Sequence, residues 1–377
     1  MLQKHIVLVS PLFNYVRGGA EINDLNLGYA LSRLGHKVTY LVGLDNIQNR
    51  HNTPTWATLI EVPTLGFDWN EFSAVGISGK GRRFRFFRAF AKQICLSQRQ
   101  CLNDSDFILL TGRPSLAQIV TVTSAPVIHS VRGEMGRFNE WFVRYVDGLI
   151  FWGGCEADNP PRLFAKKPAL LVDPGVDETY FHPGAGLPQL EHSLRRGDAE
   201  ALNVVFAGRL DPIKRVEHII RAVGSAINQG RSVYLSIVGD GSVRADLERL
   251  AETHLPGRVT FHGRQEPSSL ADILRASDVF MLTSHMENHP IAIKEALACG
   301  LDVIAYGVGR VPQILSGQAN SVVVPVGDES ALAETLLQRV DKGRIPAKQR
   351  TASNAGTWRD VAEKIVSWRE KELKHRG

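Results

Sequence analysis

Short runs of apolar and β-branched residues return along the whole chain, each pair separated by about one helix and its connections. In the first half the runs are 5–10, 37–42, 107–111, 127–131 and 148–151, with helical periods at 21–34 and 82–102. In the second half they are 203–207, 233–238, 259–262, 279–283, 302–305 and 321–324, again alternating with helical patterns. A run that is apolar throughout, rather than at every second residue, belongs to a strand covered on both faces. Strands of this kind joined by helices form parallel, doubly wound sheets. The rhythm therefore predicts an α/β chain with two Rossmann-like domains. In such sheets ligands bind where loops leave the carboxyl ends of the strands, and two of them facing each other would share one cleft.

Length supports that division, because 377 residues exceed one ordinary core. The Pro/Gly-rich stretch made of Val172–Asp177 and then His182–Pro188 is the natural joint. It predicts an N-terminal domain over 1–183, a C-terminal domain over 184–356, and a charged helix over 357–377. No apolar run is long enough to cross a bilayer, and the first run lacks a small-residue cleavage site. Cys95, Cys101, Cys155 and Cys299 are scattered without metal-ligand spacing. These features suit a cytoplasmic protein with reduced thiols. The net charge of +5 fits phosphate ligands or anionic membranes, and no nucleic-acid-binding module accompanies it.

Three constellations follow strands. The first is Ser284-His285-Met286-Glu287-Asn288-His289-Pro290-Ile291, continuing to Glu295. Pro290 suits a first helical turn capped by Asn288 or His289. The free N–H groups there suit a phosphate, and Glu287 and Glu295 suit vicinal hydroxyls. The alternative is a capped helix with solvated acids. The second is Gly208-Arg209-Leu210-Asp211-Pro212-Ile213-Lys214. Its glycine permits close approach, Asp211-Pro212 reads as a helix start, and Arg209 and Lys214 supply cations for a leaving diphosphate. The alternative is a basic, solvated helix start. The third is Gly18-Gly19 after the first strand. Neither it nor Gly239-Asp240-Gly241 completes a dinucleotide fingerprint, so each reads as a strand-end turn. Asp104-Ser105-Asp106 has a D-x-D spacing but precedes a strand, and also reads as a turn.

In this order the motifs resemble the family 4 retaining glycosyltransferases of the GT-B fold. The resemblance runs over nearly the whole chain and is densest from Asn203 to Asp328, through Gly208-Arg209 with Lys214, Val238-Gly239-Asp240-Gly241, Gly263, the Glu287/Glu295 pair and Val324-Pro325-Val326-Gly327-Asp328. It implies a nucleotide-diphospho-sugar as donor substrate and no cofactor or metal. Glu295 would bind ribose hydroxyls and Glu287 the donor sugar. Arg209, Lys214 and the amides of Asn288, His289, Pro290 and Ile291 would surround the diphosphate. Gly18-Gly19 would close over it, and Gly263-Arg264 would line the base pocket. The terminal helix would pack back on the first domain.

Two departures bear on this reading. Asn288-His289 stands where the family often has Gly-aromatic. Arg132 stands where it commonly has a sugar-contacting histidine and would take the catalytic position there by contacting the donor or a charged acceptor, and His129, one strand period earlier, reads as a buried structural residue. The acceptor, whether glycan, lipid-linked or small-molecule, is not specified. Residues 80–92 mix Lys80, Arg82, Arg83, Arg85, Arg88 and Lys92 with phenylalanines and contain no acid. They read either as an interfacial helix at the inner membrane face or as an amphipathic helix packing Phe84, Phe87 and Phe90 into the first domain. Rival functions are a GT-B-fold epimerase or phosphorylase, and a non-catalytic sugar-nucleotide-binding protein.

Overall fold

The computed structural model describes residues 2–13, 19–44, 54–63, 77–111, 114–131, 144–153, 167–287, 289–344, 350–351 and 356–373. For residues 19, 20, 44, 77–83 and 114 it describes the backbone alone. The chain divides into two compact units. One comprises Met1–Pro174 with Trp358–Gly377, the other Gly175–Thr357.

The first unit holds a seven-stranded parallel sheet in the order β3-β2-β1-β4-β5-β6-β7. Its strands are β1 (His5–Val9), β2 (Lys37–Leu44), β3 (Thr58–Pro63), β4 (Phe107–Leu110), β5 (Val127–Val131), β6 (Gly148–Trp152) and β7 (Ala169–Val172). The apolar runs of the sequence do not reveal β3 and β7, the two edges. An edge strand pairs on one side only and is less completely covered, so it loses the continuous apolar signature. Accordingly β3 carries Glu61 and ends on Pro63, while β7 alternates exposed and buried residues.

Helix α1 (Gly19–Arg33) follows β1, and α2 (Ile77–Ser97) and α3 (Arg99–Asn103) precede β4. Phe86, Phe87, Phe90, Ala91 and Ile94 of α2 are buried in the core on one face of the sheet, and Phe84 is half-buried. The phenylalanines thus serve packing, each buried aromatic removing a large apolar area from water. Arg85, Arg88 and Lys92 point outward. His129 is buried on β5, in register with Leu110 and Leu149. Asp104 and Asp106 lie in the turn before β4, where Asp106 accepts from the His5 backbone N–H at 2.8 Å.

The second unit holds a six-stranded parallel sheet in the order β10-β9-β8-β11-β12-β13. Its strands are β8 (Leu202–Ala207), β9 (Val233–Val238), β10 (Val259–Gly263), β11 (Val279–Leu282), β12 (Asp302–Tyr306) and β13 (Val322–Val324). Helices α4 (Pro188–Leu194), α5 (Val216–Asn228), α6 (Arg244–His254), α7 (Pro267–Ala276), α8 (Ile291–Ala298), α9 (Val311–Leu315) and α10 (Glu329–Asp341) complete it. Every residue of β8, β11 and β12 is buried, as strands covered on both faces require.

This unit begins at Gly175, within the first part of the joint stretch and ahead of the boundary set at 183/184. The Val176 N–H donates to the Gly356 carbonyl at 3.0 Å, and Val176 and Phe181 belong to the second core. The terminal helix α11 (Trp358–Glu372) belongs to the first unit. Its Trp358, Val361, Ala362, Ile365 and Val366 bury against Ile6, Leu8, Leu27 and Leu31. A Cβ on Gly148 would lie 2.7 Å from the Trp368 ring, so the start of β6 admits no side chain there.

Candidate functional site

In the second sheet the strand order reverses at β8, with β9 on one side and β11 on the other. The chain leaves neighbouring strands toward opposite faces at such a point, which opens a crevice at their carboxyl ends. The Arg209–Lys214 loop follows β8, and Glu287 and Glu295 follow β11. Two motifs far apart in sequence therefore share one edge of the fold.

They touch. Lys214 Nζ donates to Glu287 Oε1 at 2.5 Å, and the Ser284 hydroxyl donates to the same oxygen at 2.7 Å. Both partners of the ion pair are largely shielded, with side-chain exposures of 17% for Lys214 and 12% for Glu287. Arg209 is placed differently. Its side chain is 73% exposed and pairs with Asp211 at 2.7 Å. Each of these two cations thus has a carboxylate beside it, one that a phosphate could replace.

The supporting backbone departs from the expected helix start. Asp211 precedes a single 3-10 turn, Pro212–Lys214, and α5 begins only after Arg215, which sits at φ +50°. The loops are then laced together. The Thr283 hydroxyl lies 3.1 Å from the Lys214 carbonyl and 2.8 Å from the Arg215 carbonyl. The His285 N–H donates to the Ile213 carbonyl at 2.8 Å. Sequence reasoning assigns no role to Thr283 or Ser284. Their one sequence signal is a pair of hydroxyl residues directly after the apolar strand.

Helix α8 starts at Ile291, with Pro290 rather than Asn288 or His289 in the capping position and no side chain capping it. Its first-turn N–H groups and positive dipole end remain suited to an anion. Glu295 lies in the second turn, half-buried, with no hydrogen-bond or ion-pair partner for its carboxyl among the described residues. Burial pushes that carboxyl up to about 7. Glu295 and Glu287, though on one connection, are therefore in opposite electrical settings, the first unpartnered and the second beside a cation.

Gly239 closes the turn after β9 at φ +134°, where a Cβ would lie 1.8 Å from the Gly208 carbonyl oxygen. A Cβ on Gly241 would lie 2.4 Å from the Leu210 carbonyl oxygen. These glycines let the β9 turn press against the loop that carries Arg209, a packing role rather than a phosphate cradle. Gly263 ends β10 at φ +66°, its carbonyl accepting from the Gly239 N–H at 2.8 Å, and Arg264 beside it is exposed. His289 is half-buried and Pro290 buried. Gly19 opens α1 in the first unit. Gly18, Arg132 and Asn288 lie outside the described residues.

A cavity of about 660 Å³ adjoins the same loop, lined by Ile213, Arg215, Val243, Leu247, Leu250 and His285 among others. It includes neither Lys214, Glu287 nor Glu295, and its apolar walls do not suit a diphosphate.

Comparisons with known proteins bear on the family and the fold. Residues 201–342 match the family model described as glycosyl transferases group 1. Over 255 residues the chain is 27% identical to a D-inositol 3-phosphate glycosyltransferase of Saccharomonospora viridis. That match covers 63% of this chain and 59% of the relative, so the chain spans somewhat over half of the relative's length. Among solved structures it is similar to sucrose-phosphate synthase from Thermosynechococcus elongatus, with a TM-score of 0.73 at 19% identity, covering 98% of this chain and 99% of that one. It is also similar to Anabaena HepE, solved with UDP and glucose, with a TM-score of 0.63 at 17% identity and 98% of each chain covered. At such identities the likeness establishes the fold, two parallel Rossmann-like sheets as in GT-B glycosyltransferases.

Proposed function

We propose that this chain is a group 1 glycosyl transferase that moves a hexosyl-type group from a nucleotide-diphospho-sugar to an acceptor hydroxyl with retention of configuration. The observation that carries this reading is the Lys214–Glu287–Ser284 cluster at the switch point of the second sheet, with Glu295 unpartnered among the described residues beyond it. The diphosphate displaces carboxylates from Lys214 and Arg209 and lies against the start of α8. Glu287, released from Lys214, then accepts hydroxyls of the sugar, while Glu295 accepts those of the ribose. In this reading Gly263 and Arg264 border the base.

In the reaction the bond from the anomeric carbon to the phosphate oxygen breaks, and its electron pair stays on the phosphate. Lys214 and Arg209 neutralise that charge where it grows, which lowers the barrier without a metal ion. The acceptor oxygen bonds to the same face of the anomeric carbon, and its proton passes to the departing phosphate oxygen. The protein contributes position and charge, not a nucleophile.

A thermal-shift screen with UDP, GDP and ADP tests donor binding, because a ligand specific to the folded state stabilises it by mass action. Glu295 adds a pH signature. Its raised pKa means that the folded state holds a proton the unfolded chain has lost. Its contribution to stability is therefore complete below the usual carboxylate range and falls as pH rises through about 7. Ribose hydroxyls favour the ionised form, so the nucleotide-induced shift should be larger at pH 8 than at pH 6, and Glu295→Gln should flatten the difference. No shift with any of the three nucleotides would remove the reading.

We assign the acceptor to an anionic membrane surface, as a lipid-linked molecule at its cytoplasmic face. Among the described residues Arg85, Arg88, Lys92 and Arg99 have no ion-pair or side-chain hydrogen-bond partner, and Ile77–Ser97 contains no acid. No described helix is long and apolar enough to cross a membrane. Because the phenylalanines of α2 face inward, attraction here is electrostatic rather than by insertion. Replacing Arg85, Arg88 and Lys92 with Ala should weaken binding to phosphatidylserine vesicles by about 3 kcal/mol, on the order of a hundredfold. Flotation that persists unchanged in the triple variant, or that ignores lipid charge, would contradict this assignment.

A further inference from the structure

Resting on the reading of Lys214 as a diphosphate-binding cation, we infer that Thr283 is the positioning residue that aims it. Thr283 directly follows β11 and is fully buried. Its hydroxyl reaches two consecutive carbonyls of the opposite loop, at 3.1 Å for Lys214 and 2.8 Å for Arg215. Those carbonyls converge where Arg215 holds a left-handed conformation at φ +50°, which a residue with a Cβ adopts at a cost. Such a conformation persists only where its surroundings hold it. The Arg215 carbonyl also accepts from the His218 N–H at 3.0 Å, so the same point starts α5.

The consequence concerns Lys214. Its ammonium sits on a flexible four-carbon stem, so its direction depends on where its backbone is pinned. Thr283 pins that backbone from β11, the strand that also leads to Ser284 and Glu287. One hydroxyl therefore sets the distance between the cation and the carboxylate it must exchange for phosphate. Without it, the Lys214 and Arg215 carbonyls lose the single hydroxyl hydrogen they share and the left-handed turn loses a tie, while the His218 N–H still reaches the Arg215 carbonyl and the His285 N–H to Ile213 carbonyl bond, at 2.8 Å, still joins the two loops.

Thr283→Val keeps the β-branched shape and deletes the hydroxyl, whereas Thr283→Ser keeps the hydroxyl. Titration calorimetry would compare UDP, GDP and ADP, and then the monophosphate of whichever binds best, in the wild type, both variants, Lys214→Ala, and the Thr283→Val/Lys214→Ala double variant. Thr283→Val should weaken the diphosphate about tenfold and the monophosphate by less than about twofold. Thr283→Ser should stay within about threefold of wild type for both. In the Lys214→Ala background, Thr283→Val should cost nothing further, because the residue it aims is gone. Additive losses, equal losses for mono- and diphosphate, or a serine variant that behaves like valine would overturn the positioning role and leave the donor reading standing. A wild type that binds none of the three diphosphates overturns the donor reading and this inference together. Circular dichroism checks that each variant folds, and Thr283→Ala substitutes for valine if that variant does not.

Discussion

Lys214→Ala should slow sugar transfer by about 10²–10³-fold, the loss associated with removing one preorganised group aimed at developing negative charge. The pair it breaks is short and largely shielded from water, so the field of the ammonium is little screened at the site. Deleting the cation leaves Glu287 with the Ser284 hydroxyl but without the charge that faced it, and the carboxylate then repels the diphosphate it formerly made room for. The change should appear mostly in kcat, because charge on the leaving phosphate is greatest in the transition state. Arg209→Ala should cost less, since its guanidinium is mostly exposed and works in a higher dielectric. Stopped-time assays of nucleotide release with and without acceptor measure both. A Lys214→Ala enzyme with wild-type kcat would show that the Lys214–Glu287 pair is structural.

Asp278→Ala should destabilise the second unit by about 3–5 kcal/mol, the range found when one partner of a buried ion pair is removed. Asp278 directly precedes β11, at the end of the strand opposite Lys214, and its side chain has no exposed surface. Its carboxylate accepts from Arg195 at 2.7 Å, Arg350 at 3.1 Å, Arg344 at 3.3 Å and the Asn203 N–H at 2.8 Å. Arg195 and Arg350 are themselves only 2% and 4% exposed. The substitution therefore takes a shared carboxylate from two buried guanidiniums, leaving Arg195 only the more distant, partly exposed Glu191 at 3.6 Å and both of them their bonds to backbone carbonyls. Urea unfolding followed by tryptophan fluorescence and circular dichroism measures the loss. A loss below about 1 kcal/mol would mean that water reaches the cluster and replaces the carboxylate.

Several features were legible in the sequence because they are local. A strand covered on both faces is apolar at nearly every position, so β8, β9, β11 and β12 of the second sheet and the inner strands of the first show directly as runs, while the partly exposed edges β10 and β13 show through their β-branched residues alone. The edges β3 and β7 did not, since Glu61, Pro63 and the exposed positions of β7 are compatible with single-sided pairing. Asp211-Pro212 reads as a helix start, but the chain makes only a single 3-10 turn there and the helix waits until Val216. Whether a proline opens a 3-10 turn or an α-helix depends on the residues after it, here the left-handed Arg215. In α2 the composition left open which way the phenylalanines point, and only the surrounding core fixes them inward.

The cluster around Lys214 shows the same division. By itself the sequence determined that Lys214 and Glu287 each stand just beyond a strand, because a strand's end is set by where the apolar run stops. It also determined the class of both sheets, through helix-length spacing between buried runs. That Lys214 and Glu287 meet follows from β8 and β11 being neighbours, a pairing between segments separated by two intervening strands. That Thr283 braces the turn, that Glu295 stays unpartnered among the described residues, and that Asp278 gathers three arginines are likewise outcomes of tertiary structure. Burial and partnership depend on what the rest of the chain brings alongside, and no local pattern carries that information.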